Sequence, residues 1–101
     1  MSIKFQNNED VLLVRLDGEI DHHSADSLKA RISTQYSRAL TKNLELDFSG
    51  VTFMDSSGVG MIIGRYKEVS ERGGLLCCSG LNDDIARLFE LSGLHKIIRI
   101  K

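Results

Sequence analysis

The chain has no proline and no tryptophan, only two cysteines, and no apolar run approaching the roughly 20 residues that span a bilayer. The last of these absences excludes a transmembrane helix. The start, Met1-Ser2-Ile3-Lys4-Phe5, is strand-like and lacks the charged and apolar regions of a signal peptide, so a cytosolic protein is expected. The two cysteines, Cys77 and Cys78, are adjacent. Neighbouring side chains on a strand point to opposite faces, so a disulfide between them would need a distorted backbone. They are expected as reduced thiols packed on a strand. No C-x-x-C redox or zinc motif is present. Charge of one sign is also missing: 13 basic against 14 acidic residues leave a net charge of −1, which gives no electrostatic reason to expect nucleic acid or an anionic membrane as a partner. No repeat, low-complexity segment or linker divides the sequence. Its 101 residues are one domain, 1–101, with one core.

Hydrophobic periodicity organises the rest. Ile3–Gln6 and Val11–Leu16 read as strands joined by the polar turn Asn7-Asn8-Glu9-Asp10, an antiparallel hairpin. Gly18 interrupts, and Ser24 is expected to cap a helix over 24–40 that carries Ala25, Leu28, Ile32, Tyr36 and Ala39 on one stripe. Leu44-Glu45-Leu46-Asp47-Phe48 alternates as a half-buried strand does, over 44–49. Val59, Ile62, Ile63, Tyr66 and Val69 put an apolar stripe on a second helix at about 57–72, stopped by Gly73-Gly74. A strand at 75–79 follows. A short helix capped by Asn82 or Asp83 carries Ile85, Leu88 and Phe89, and a last strand runs over 97–100. The order ββαβαβαβ predicts an α/β fold: a mixed sheet of about five strands with a parallel core, reached by right-handed crossovers, and helices mainly on one face.

The stretch on which the chain turns is Phe53-Met54-Asp55-Ser56-Ser57-Gly58-Val59-Gly60, between strand and second helix. Asp55, Ser56 and Ser57 are all good helix caps, and only one can serve. The others display polar groups at a helix N-terminus, where free N–H groups and the macrodipole would accommodate an anion on Ser56 or Ser57. Gly58-x-Gly60-x-x-x-Gly64 faintly resembles a dinucleotide fingerprint, but its third glycine falls one place late and no acidic residue closes the next strand. Small residues that let the helix pack closely are the better reading. A serine hydrolase would need a base activating Ser56 or Ser57, and the G-x-S-x-G elbow is not met. His22 and His23 beside Asp21 lack an evident third metal ligand, and His95 reads as a loop residue. Arg65, Lys67, Glu68, Glu71 and Arg72 read as a solvated helix face, with Glu68 and Arg72 paired at i,i+4.

Four segments together resemble a known family: Gly18-Glu19-Ile20-Asp21-His22-His23; Phe53 through Gly60; Gly64-Arg65-Tyr66-Lys67; and Arg87 through Arg99. They resemble the anti-sigma factor antagonists, members of the wider group of STAS domains, over about residues 3–100. The Asp-His-His and Ser-Gly-Leu-x-Lys-Ile-Ile-Arg segments are similar to the sporulation branch rather than the general-stress branch, which stands as the alternative. The resemblance implies a non-enzymatic switch with no cofactor or metal. The unphosphorylated form would bind a dimeric anti-sigma factor that is also a serine kinase, releasing the sigma factor. The kinase would phosphorylate Ser56 with ATP, and a PP2C-type phosphatase would reset it. Asp21, His22, His23, Asp55, Ser56, Ser57 and Gly58 are the expected partner-binding residues. Members of the family usually carry a further C-terminal helix, so this chain, ending at Lys101, is expected to be cut or to lack it.

Overall fold

Ten residues of continuous strand follow the first turn, where the alternation alone suggested six. The structure is a computed structural model that describes residues 1–101. Strands β1 (Ser2–Asn8) and β2 (Val11–Ile20) form the antiparallel hairpin, with Ile3 opposite Leu16 and Phe5 opposite Val14. Helix α1 (His22–Arg38) leads to β3 (Asn43–Met54). Helix α2 (Ser56–Glu71) leads to β4 (Leu76–Ser79), and α3 (Asp83–Ser92) with a short 3-10 turn (Leu94–Lys96) leads to β5 (Arg99–Ile100). The sheet order is β1-β2-β3-β4-β5, parallel from β2 onward. The mixed five-strand sheet and the ββαβαβαβ order agree with the sequence reading.

One face of the sheet makes the core. Leu12, Val14 and Leu16 of β2, Leu44, Leu46 and Phe48 of β3, and Leu76 and Cys78 of β4 are buried in one cluster with Leu28 and Ile32 of α1 and Met61, Ile62 and Val69 of α2. Helix α3 joins the same side through Phe89, whose ring meets Phe48 edge-on at 5.9 Å between centroids. Side chains of the opposite parity, among them Leu13, Arg15, Glu45, Asp47, Cys77 and Ser79, are half-buried or exposed. Lys101 reaches Glu45 at 2.9 Å on that side. As expected of neighbours on a strand, Cys78 is buried while Cys77 is only partly so, and both are free thiols.

Three strands outrun their expected ends, β1 to Asn8, β2 to Ile20 and β3 to Met54, and for the last two the reason is a pair of bulges. Arg15 pairs with Asp47 but Asp17 with Gly50, and Gly18 pairs with Val51 but Glu19 with Phe53. Each shift gives β3 one residue more than β2, which changes the parity of its buried side chains: Phe48, then Val51, then Met54. A period-two reading stops where the period slips. Gly18 continues β2 with φ of 113°, a conformation that other residues rarely adopt. A Cβ at Gly50 would stand 1.6 Å from the Asp17 carboxylate, so a larger residue there would displace that side chain.

Several local expectations are corrected. The cap of α1 is Asp21, not Ser24; Ser24 sits three residues on and closes the box by accepting from the Asp21 N–H at 3.0 Å. Helix α2 begins at Ser56, one residue earlier than expected. Of the two expected candidates for the cap of α3, Asn82 serves, accepting from the Ile85 N–H at 2.8 Å. His95 lies in the 3-10 turn, and the last strand is shortened to Arg99–Ile100. Glu68 and Arg72 do not pair. Arg72 instead donates to the Tyr36 carbonyl at 2.6 Å and to the Ala39 carbonyl, capping the end of α1. Glu68 accepts from Arg65 Nε at 2.7 Å and from the Ser33 hydroxyl at 2.9 Å, tying α2 to α1. Arg65 is therefore not on a solvated face: it is 5% exposed.

Candidate functional site

The site follows from how β2 and β3 end. Ile20 pairs with Met54, and the Asp55 N–H donates to the Ile20 carbonyl at 3.0 Å. Both strands then reach an aspartate in extended conformation that caps the next helix. Asp21-His22-His23 and Asp55-Ser56-Ser57 thus stand side by side at one end of the sheet. This is the end beyond the parallel strands' carboxyl termini, where α/β sheets place their sites.

At the second start, the Asp55 carboxylate accepts from the Ser57 N–H at 2.8 Å, and the Asp55 carbonyl accepts from the Gly58 N–H at 3.0 Å. The competition among three good caps is resolved in favour of Asp55. That leaves Ser56 as the first helical residue, exposed, with a hydroxyl that no side chain engages. No histidine or carboxylate stands in hydrogen-bond contact with either serine hydroxyl. Ser57 is half-buried one place on. Gly58 is buried: a Cβ there would lie 2.3 Å from Met54 Cγ and 3.1 Å from Ile20 Cγ2. It seats the first turn of α2 on the strand ends.

At the first start, Asp21 accepts from the N–H groups of His23 and Ser24, each at 3.0 Å. The Ser24 N–H chiefly, helped by the His23 N–H and the Ser24 hydroxyl, holds the Asp21 carboxyl below its ordinary pKa against the opposing effect of desolvation. The Ser24 hydroxyl also donates to the Glu19 carbonyl at 3.1 Å, which fixes the turn to the end of β2. His22 and His23 are exposed, with ring centroids 3.9 Å apart. Neither first turn holds an acidic residue beyond its cap, so the carboxylates of Asp21 and Asp55 are what meets the positive ends of the two helix dipoles on this patch of surface.

Sequence reasoning missed what lies beside this patch. A groove of about 550 Å³ runs between α1 and α2, lined by His22, Asp26 and Lys29 from one helix and Ser57, Gly60 and Arg65 from the other, among others. The signal for Arg65 was available: it falls four residues after Met61 and three after Ile62, on the buried stripe of α2. The reading of Gly60 and Gly64 as close-packing residues is also corrected, since a Cβ at either would meet nothing within 4 Å.

A five-strand mixed sheet with its helices on one face and a serine at the second helix start defines a STAS domain. The STAS domain family model matches residues 2–101, and the chain belongs to that family. Its relatives are more particular. The anti-sigma F factor antagonist of Paenibacillus polymyxa is 37% identical over 99% of this chain and 86% of its own length. The anti-sigma-B factor antagonist of Bacillus subtilis is 32% identical over 99% of this chain and 90% of its own length. Among solved structures, the anti-sigma factor antagonist SpoIIAA in its unphosphorylated form superposes with a TM-score of 0.84 at 28% identity, over 99% of this chain and 88% of that one. The phosphorylated form of SpoIIAA, a Bacillus cell fate determinant, superposes at 0.76 with the same identity, over 99% of this chain and 91% of that one.

Proposed function

We propose that this protein is an anti-sigma factor antagonist of the sporulation type, switched by phosphorylation of Ser56. Its unphosphorylated form binds an anti-sigma factor that is also a serine kinase and so frees the sigma factor. Phosphorylation ends the binding, and a PP2C-type phosphatase restores it. The protein acts in the cytosol and catalyses nothing itself. The observation that carries this reading is Ser56: an exposed, uncommitted hydroxyl at the first residue of α2, with Asp55 doing the capping beside it.

The physics of the switch is charge. A phosphate adds about −1.5 to −2 charge and three acceptor oxygens. Within the free domain the N–H groups and dipole at the start of α2 accommodate it, with about 0.3–1 kcal/mol of dipole stabilisation. Within a closed interface the same dianion, next to Asp55, is buried without a cation and costs several kcal/mol. A hundredfold loss of affinity needs only about 3 kcal/mol. Asp21, His22 and His23 form the rim of the interface, because the register sets them beside Asp55, Ser56 and Ser57.

The test is intact-mass and peptide mass spectrometry after incubation with ATP and the anti-sigma kinase, followed by binding measurements. One phosphate on Ser56 and at least hundredfold weaker binding of that form are expected. Ser56→Asp should bind weakly, and Ser56→Ala should bind and resist inactivation. Unchanged affinity for both the phosphoprotein and Ser56→Asp removes this reading. The identity to the anti-sigma-B factor antagonist favours a second one, a general-stress partner, and binding to that type of anti-sigma factor alone would select it.

A further inference from the structure

Two glycines in the middle of a helix cost it stability, and here the fold itself makes no use of them. Gly60 and Gly64 lie one turn apart on α2, inside the groove, with open space above both. Alanine would fit at either and would favour the helix. What the glycines provide is bare helix backbone, against which another chain can lie closely. The same groove contains a cation that is only partly matched. Arg65 is only 5% exposed, it lines the groove, and its Nη1 has no hydrogen-bond partner. Its Nε is bound to Glu68, but Nη1 is left without an acceptor in a place that water does not reach. Buried donors are nearly always paired, so one that is not asks for an acceptor from outside. Exposed Lys29 and His22 stand on the wall contributed by α1, with Asp26 between them.

We propose that the groove between α1 and α2 receives a segment of the anti-sigma partner whose backbone lies on Gly60 and Gly64 and whose acidic side chain reaches Lys29 and Arg65 Nη1. The inference rests on the proposed partner and adds where and how that partner docks. A single carboxylate suits the site better than a polyphosphate, because Asp26 on the same wall would repel a larger charge. A lone ion would leave the two glycines unexplained, whereas a protein segment uses both features. Nη1 touches no solvent in the free domain, so the carboxylate engages Lys29 at the groove surface and reaches Nη1 only as the Arg65 side chain shifts toward the groove it lines. The bond it then makes is charge-assisted on both sides. Ser57 also lines the groove, so the docked segment passes directly beside Ser56 and would feel a phosphate there.

The test uses the full chain and the purified anti-sigma factor, with affinity measured by calorimetry and folding by thermal unfolding. The Gly60→Ala/Gly64→Ala variant is expected to melt at or above the wild-type temperature and to bind at least tenfold more weakly. Lys29→Glu, an exposed substitution that does not depend on the helix interior, is expected to bind at least fivefold more weakly, with the loss shrinking as salt is raised. Binding by the double-alanine variant within twofold of wild type would overturn the docking role of the groove. Undiminished binding by Lys29→Glu would overturn the carboxylate. If the wild-type chain itself does not bind the anti-sigma factor, the proposed function falls and this inference with it, a result distinct from failure of the variants alone.

Discussion

Removing Glu68 should harm the domain more than removing the arginine it pairs with. Arg65 is almost fully buried, whereas the Glu68 side chain is 38% exposed. Glu68→Ala leaves a buried guanidinium with neither Nε nor Nη1 matched by an acceptor. Breaking a buried ion pair by deleting one partner costs about 3–5 kcal/mol when the remaining charge stays dry. Here the space vacated by the carboxylate opens to solvent, so water can reach Nε and the expected cost is about 2–3 kcal/mol. For a domain of this size that lowers Tm by roughly 10–20 °C. Arg65→Met keeps the apolar stem, removes the unmatched nitrogen, and leaves Glu68 with solvent and the Ser33 hydroxyl. Its cost should stay within about 1 kcal/mol, since the remaining charge is the exposed one. The double variant should resemble Arg65→Met, which gives a coupling of about 2 kcal/mol between the sites. Urea unfolding followed by circular dichroism measures all three. Equal losses for Glu68→Ala and Arg65→Met would refute the reasoning, because they would mean that the pair stabilises as a unit rather than by neutralising a buried cation.

Three further outcomes are expected. Asp55→Ala should lose about 1 kcal/mol, the ordinary worth of an N-cap, measured by urea unfolding. Gly58→Ala should destabilise by about 1–3 kcal/mol through overpacking against Met54 and Ile20, partly offset by helix propensity, and thermal unfolding should separate it from the tolerated changes at Gly60 and Gly64. Asp21 gives a pH dependence whose sign follows from its lowered folded pKa. Its contribution is fully present above the carboxyl's ordinary value of 3.8 and is lost as pH falls through the lowered one. An NMR titration should place the Asp21 carboxyl below the usual aspartate range. Asp21→Asn, which can still cap, should remove that part of the acid sensitivity.

Most of the architecture was legible because each strand and helix here carries its own period. Leu44, Leu46 and Phe48 announce β3, and Leu28, Ile32 and Tyr36 announce α1, without reference to the rest of the chain. The extensions to Ile20 and Met54 were not legible, because they lie beyond bulges that change which side chains face inward. Bulges are a property of two strands paired together. Ser24 was mistaken for a cap because a serine and an aspartate compete in that turn. The strand length that decides in favour of Asp21 comes from pairing with β3. Of the candidate site, the Asp-Ser-Ser run and its place at a helix start could be read directly. Its juxtaposition with Asp21-His22-His23 needed only the parallel topology. The groove could not be read, since it depends on Arg65 turning inward to Glu68 and on what stands above two glycines.

The threefold anchorage of the second helix start has a consequence for any signal placed there. The turn is held from behind by the Asp55 N–H on Ile20, from within by the Asp55 carboxylate on Ser57, and from below by Gly58 seated on Met54 and Ile20. It contains no hinge and no spare length that could swing. A mark placed on Ser56 therefore has no lever by which to reshape distant parts of the domain. On the proposed function, the message would be written and read at the same spot, as added negative charge and bulk that only a protein touching that spot can detect.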